Sequence, residues 1–179
     1  MTGCPEDLLD TLAGLLRYPH GPLDVPAGRC LAALDPADEA VAALQRFERQ
    51  VGGMAVADLQ EHYTAVFDLN PACTLDLGWH LFGETRERGG FLVTLRDDLE
   101  RVGVPEVSEL PDHLSHVLAL LGREEPGRAA ALAALVAPAV TSVRRVLEDR
   151  RSVYADLLTA IDSLVTRLGA GRVTESTTP

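Results

Sequence analysis

Apolar residues along this chain recur at spacings of three and four with few interruptions, which is the signature of amphipathic helices and not of strands. Leu8, Leu12, Leu15 and Leu16 follow Pro5, Glu6 and Asp7, residues suited to a first turn, and predict a helix ending near Tyr18-Pro19. A Pro/Gly-rich connection, PHGPLDVPAG, leads to a second helix from about Pro36, capped by Asp35 and stopped by Gly52-Gly53. A third, about Ala55 to Phe67, places Val56, Leu59, Tyr63, Val66 and Phe67 on one face and meets a turn at Leu69-Asn70-Pro71. From about Thr74 a stripe of Leu75, Trp79, Phe82 and Arg86 is interrupted at Gly89-Gly90 and resumes with Leu92, Leu95, Leu99 and Val102, which predicts two helices or one kinked helix.

Further on, Pro111 of ELPDHL suits a first helical position, with Asp112 beside it at the positive end of the macrodipole. Leu114, Val117, Leu118 and Leu121 form the apolar face of that helix. An Ala-rich segment from Arg128 to Val136 meets Pro138, and a last long helix carries Val143, Val146, Leu147, Tyr154, Leu157, Ile161, Leu164, Val165 and Leu168. The polar remainder, GAGRVTESTTP, reads as a flexible tail. Neither period-2 strand runs of useful length nor internal repeats are present. The expected fold is all-α, a compact bundle or orthogonal array in one domain over residues 1–168, with a tail over 169–179.

Charge narrows the partners. The 16 basic residues are all Arg, and against 27 acidic ones they leave a net charge of -11, so attraction to nucleic-acid phosphates or anionic lipid is disfavoured. Cys4, Cys30 and Cys73 are odd in number, widely spaced and without a CxxC, so they suggest neither a disulfide framework nor a zinc knuckle and fit a reducing cytoplasm. The N-terminus lacks a basic leader, and no apolar run approaches the roughly 20 residues of a membrane span, so a soluble, unexported protein is expected.

Candidate chemistry is sparse. Asp112, His113 and His116 are the nearest approach to a metal-ligand cluster, but HExxH and ExxH patterns are missing. His113 is expected to hydrogen-bond near a helix start and His116 to sit at the edge of the apolar stripe. Asp76 and His80, four apart, have the spacing of an acid-base pair but also of an ordinary solvated helix face. With no phosphate loop, dinucleotide fingerprint or nucleophile elbow, the sequence offers no catalytic residue, cofactor or metal, and a protein that binds other chains is the better expectation.

Three segments, taken in order, resemble a known family. LQEHYTAVFDL (Leu59 to Leu69) is similar to a Q-x-x-Y-x-x-x-F-D helix, HLFGETRERGG (His80 to Gly90) to an H-x-x-G-[ED]-[ST]-R-[DE]-R-G signature, and ELPDHL (Glu109 to Leu114) to a helix start of that wording. Together they resemble the assembly chaperones of respiratory nitrate reductase, the NarJ-type delta proteins, within the molybdoenzyme maturation chaperones. The double glycine Gly89-Gly90 departs from the single one of the pattern. The resemblance implies a non-enzymatic cytoplasmic chaperone. Such a protein binds the N-terminal segment of the apo catalytic subunit of nitrate reductase and keeps it competent for molybdenum cofactor insertion, with molybdenum cofactor biosynthesis proteins as further candidate partners. The alternatives are a chaperone for a dimethyl sulfoxide or trimethylamine N-oxide reductase, or a small helical metal-dependent hydrolase using Asp112, His113 and His116.

For the client surface the candidates are the large rings Tyr63, Phe67, Trp79 and Phe82, the acids Glu61 and Asp112, His113, and the arginines Arg86 and Arg88 of the charged stretch. Two roles remain open for those arginines. They meet the client, or one of them forms an internal latch against Asp68 or Asp112.

Overall fold

The computed structural model describes residues 5–175; Cys4 lies outside them. Among the described residues there are nine α-helices and no strand, as the apolar spacing predicts. Helix α1 (Pro5–Leu15) is followed by α2 (Asp24–Ala33), a helix inside what reads in sequence as a connection. Pro26 falls in its first turn, where a backbone N–H would have no helical acceptor, so the proline starts this helix instead of preventing it. In α3 (Glu39–Val51) the N-cap is Asp38, whose Oδ1 accepts the Ala40 N–H at 2.9 Å; Asp35 closes the preceding turn by accepting from Ala37 N–H at 2.8 Å. Helix α4 (Val56–Tyr63) runs on into one π-helical turn, Thr64–Asp68, closed by Leu69 N–H to Thr64 O at 3.0 Å.

The expected interruption at Gly89-Gly90 lies elsewhere. Helix α5 (Leu77–Phe82) ends at Gly83, whose φ of 60° and ψ of -150° are open to glycine and costly for any other residue. Helix α6 (Arg86–Val102) then contains both Gly89 and Gly90 and stops at Gly103, φ 74°. Helix α7 (Leu114–Leu121) begins later than ELPDHL suggests: Pro111 and Asp112 precede it, and His113 is its N-cap. Pro138 does not end the Ala-rich helix either. Helix α8 (Pro126–Asp149) runs through it, and the real break lies at Arg150 to Val153, before α9 (Tyr154–Glu175). Of the expected tail, residues 169–175 therefore continue α9, and 176–179 lie outside the described residues.

Helices α8 and α9 pack as a long pair, with α9 also lying on α3; α1 packs on α2 and α7, and α5 on α6 and α8. Gly169 makes the close approach possible, because a Cβ there would come within 2.9 Å of the Ala134 backbone. Helix α7 is buried on every side, Leu114 to Leu121 without exception, and so forms the centre of the core. By length and composition α8 would suffice to cross a membrane, an exception to the sequence expectation, since Pro138 makes that stretch read as two shorter pieces. In the fold, its Ala129, Ala133, Val136 and Val140 are buried.

Candidate functional site

The site begins with one short piece of strand-like pairing. Leu77 N–H donates to Asp112 O at 2.9 Å and Leu114 N–H to Leu75 O at 2.8 Å, so Asp76 and His113 face each other as an isolated antiparallel bridge. This ties the residues entering α5 to those entering α7 and fixes the positions of two acids and a histidine.

Arg88 closes the corner. Its Nε donates to Asp112 Oδ2 at 3.1 Å, its Nη2 lies 3.4 Å from Asp76 Oδ2, and the guanidinium sits 5.9 Å from the Trp79 ring centroid. Asp112 is fully buried, with Oδ1 unpartnered, so Arg88 is what makes a carboxylate tolerable there. Gly78 is required by the same contact: a Cβ would lie 2.5 Å from Asp112 Oδ2. Phe82 packs against Phe91 with ring centroids 5.4 Å apart. Of the two readings open for the arginines, the latch is the one seen for Arg88. Arg86 and Glu61 are both exposed.

Beside the bridge is a cavity of ≈ 260 Å³ lined by Tyr63, Phe67, Asp68, Thr74, Leu75, Asp76, Glu109 and His113. Its aromatic part is held by a hydrogen bond and by ring packing. Tyr63 OH donates to Leu16 O at 3.0 Å and the ring stands edge-on to Phe67, 5.0 Å away. Three carboxylates give the wall its charge, and their field reaches the buried groups. Burial first, then Glu109, Asp68 and Asp76, push the Tyr63 hydroxyl well above its ordinary value. The Asp76 carboxyl is likewise raised, mainly by burial and then by Asp112 and Glu109, against the lowering effect of Arg88. His113 is held down to about 3 by burial, with His116 and Arg17 adding to it, and stays neutral. Its Nδ1 accepts from Ser115 N–H at 3.2 Å and lies 2.8 Å from Ser115 Oγ, which is the helix-start hydrogen bond expected of it.

The ligand set considered for a hydrolase does not assemble. Asp112 is engaged by Arg88, and His116, buried and not at the edge of a stripe, donates from Nδ1 to Leu110 O at 2.9 Å and accepts from Val107 N–H at Nε2. Among the described residues no group of three metal-ligating side chains is placed to hold an ion. Nor do Asp76 and His80 pair, since His80 Nε2 donates to Thr74 O at 2.8 Å. Cys30 and Cys73 are free and buried, and burial raises both thiols, Cys30 to about 12. What the cavity can do is receive a cationic side chain, with carboxylates for its charge and ring faces for its stem.

Of the sequence candidates, Tyr63, Phe67 and His113 converge on the cavity, while Trp79, Arg88 and Asp112 form the supporting corner. The acids that line it, Asp68, Asp76 and Glu109, are not those chosen from sequence. Asp68 and Glu109 do lie within the quoted LQEHYTAVFDL and ELPDHL segments, one beside Phe67 and the other heading its motif, and that adjacency is the signal that could have found them.

Known proteins are similar to this chain in sequence. A NarJ protein of Escherichia coli (strain K12), a nitrate reductase molybdenum cofactor assembly chaperone, is 37% identical over 130 residues, 68% of this chain and 55% of that protein. A Bacillus subtilis (strain 168) protein, a probable nitrate reductase molybdenum cofactor assembly chaperone NarJ, is 30% identical over 112 residues, 62% of this chain and 61% of its own length. The matches thus span little more than half of these relatives. Residues 32–160, which hold the π turn, the bridge, the Arg88 corner and most of the helical core, match the nitrate reductase delta subunit family, and the chain belongs to that family.

Proposed function

We propose that this protein is a non-enzymatic, cytoplasmic chaperone for nitrate reductase. It binds the N-terminal segment of the apo catalytic subunit and keeps that subunit competent for molybdenum cofactor insertion. The relatives' role in assembling that enzyme's cofactor supports the general class. The observation that carries the peptide-binding part is the acid-walled cavity with its Tyr63 and Phe67 rings, sized for one long basic side chain. Tyr63, Phe67 and His113 line the pocket for that side chain. Trp79, Phe82, Arg88 and Asp112 position its wall, and the exposed Glu61 and Arg86 serve as outer contacts.

Calorimetry against a synthetic peptide of the catalytic subunit's N-terminal residues tests this reading. Saturable binding is expected for the true peptide and not for a scrambled one. Replacing the seated basic residue by glutamine, or Glu109 by glutamine, should weaken binding by about tenfold, the worth of one charge-assisted hydrogen bond. Equal binding of true and scrambled peptides would defeat the proposal.

A further inference from the structure

A second cavity, ≈ 280 Å³, is lined by α1 (Asp10, Ala13), Arg17, the segment from Gly103 to Val107 (Gly103 to Pro105 and Val107) and α7 with its exit (Ala119, Arg123). Its two arginines differ. Arg123 is saturated: Nη1 and Nη2 bond Asp10 at 2.6 and 2.5 Å, Nη2 lies 3.1 Å from Glu6, and Nη1 donates to Ala119 O. Arg17 has none of this. Its Nε is buried and without a hydrogen-bond partner, and among the described side chains it is the one half-buried arginine outside any ion pair. A buried guanidinium N–H left unsatisfied costs more than a neutral one.

We propose that Arg17 is an anion site that takes a carboxylate, a turn of the half-buried side chain into the cavity bringing Nε and one Nη to the two parallel hydrogen bonds that a planar carboxylate accepts. Asp10 on the same wall argues for a monoanion over a phosphate dianion, and the other groups nearby, Arg123 and His113, do not compete: one is already paired and the other neutral. The source is an acidic side chain of the bound client segment, an assignment that rests on the function proposed above. The two cavities share the 103–110 segment as a wall, with Val107 in one and Glu109 in the other, so one peptide crossing it would place opposite charges in opposite pockets.

Two arms test this. In the first, ¹⁵N-arginine-labelled protein is titrated with glutarate and no client is present. The Arg17 Nε–Hε resonance should shift saturably while those of the exposed Arg29 and Arg49 do not. The resonance is assigned by its loss in Arg17→Gln, or by through-bond correlation in the unaltered protein if that variant does not fold. Shifts no larger than those of Arg29 and Arg49 overturn the site. In the second, client peptides with each acid changed to its amide are compared by calorimetry. One such change should weaken binding about tenfold, and not do so against Arg17→Gln. If every amide peptide binds like the parent while glutarate still saturates Arg17, the peptide source is overturned. A parent peptide that does not bind at all refutes the client reading and with it this source, while the glutarate arm still decides the site.

Discussion

Arg88 and Arg86, two residues apart in the charged stretch, have unrelated energetic roles. Removing Arg88 strands a fully buried carboxylate, so Arg88→Ala should cost about 3 to 5 kcal/mol in denaturant unfolding. Arg88→Met combined with Asp112→Leu should recover most of that loss. Arg86→Ala should stay within about 0.5 kcal/mol, as is usual for an exposed side chain away from any network. His113 gives a pH signature. Its folded pKa, about 3, is depressed below the ordinary 6.5, so between those values the unfolded chain binds the extra proton and stability falls as pH falls, by up to about 1.4 kcal/mol per unit. Asp76 works in the opposite sense, since its raised carboxyl is more easily protonated in the fold. His113→Asn, which keeps an acceptor at the N-cap, should flatten the acid limb of a stability-pH profile. If the limb is unchanged, other groups carry it. The identity of Arg88's partner was legible only as two alternatives, Asp68 or Asp112. The choice depends on the Asp76 to His113 bridge, which joins segments 37 positions apart and leaves no trace in local spacing.

Elements were legible wherever periodicity and punctuation agreed. The apolar residues named for α1, α7 and, apart from the exposed Leu168, α9 lie in or against the core, and most errors fell on punctuation. Gly103 and Arg151 show why. After α6, Gly103 N–H bonds Glu100 O and Val104 N–H bonds Leu99 O; after α8, Arg151 N–H bonds Glu148 O and Ser152 N–H bonds Leu147 O. These are the same left-handed helix ending, but at φ 52° Arg151 occupies the position where glycine usually announces it. Conversely, Gly89 and Gly90 announce a stop that does not occur, and a Cβ at either would meet nothing within 4 Å. Gly89→Ala and Gly90→Ala should therefore each stabilise the protein by about 0.5 to 1 kcal/mol, read as a raised midpoint in thermal or urea unfolding. A loss of stability at either position would mean that the glycine serves the backbone in a way this helix does not reveal.

At the scale of the molecule, helix-spaced apolar positions and absent strand patterning set the all-α class correctly, because those properties average over many residues and tolerate local misreading. Packing between distant helices was not available to that kind of reading. Phe47 on α3 meets Tyr154 at the start of α9, ring centroids 6.0 Å apart, and Arg46 binds Asp156 across 110 residues. Tyr154 also contacts Tyr63, Phe67 and His62, so the rings beneath the candidate cavity are seated by the first residue of α9. The pocket therefore needs the chain to be made at least as far as Tyr154. Helix α9 covers part of α3, and released chains truncated before Tyr154 should be cleaved by protease near Phe47 faster than chains that include α9. Until α9 docks, the protein is a half-roofed intermediate whose own apolar faces are open to other chains.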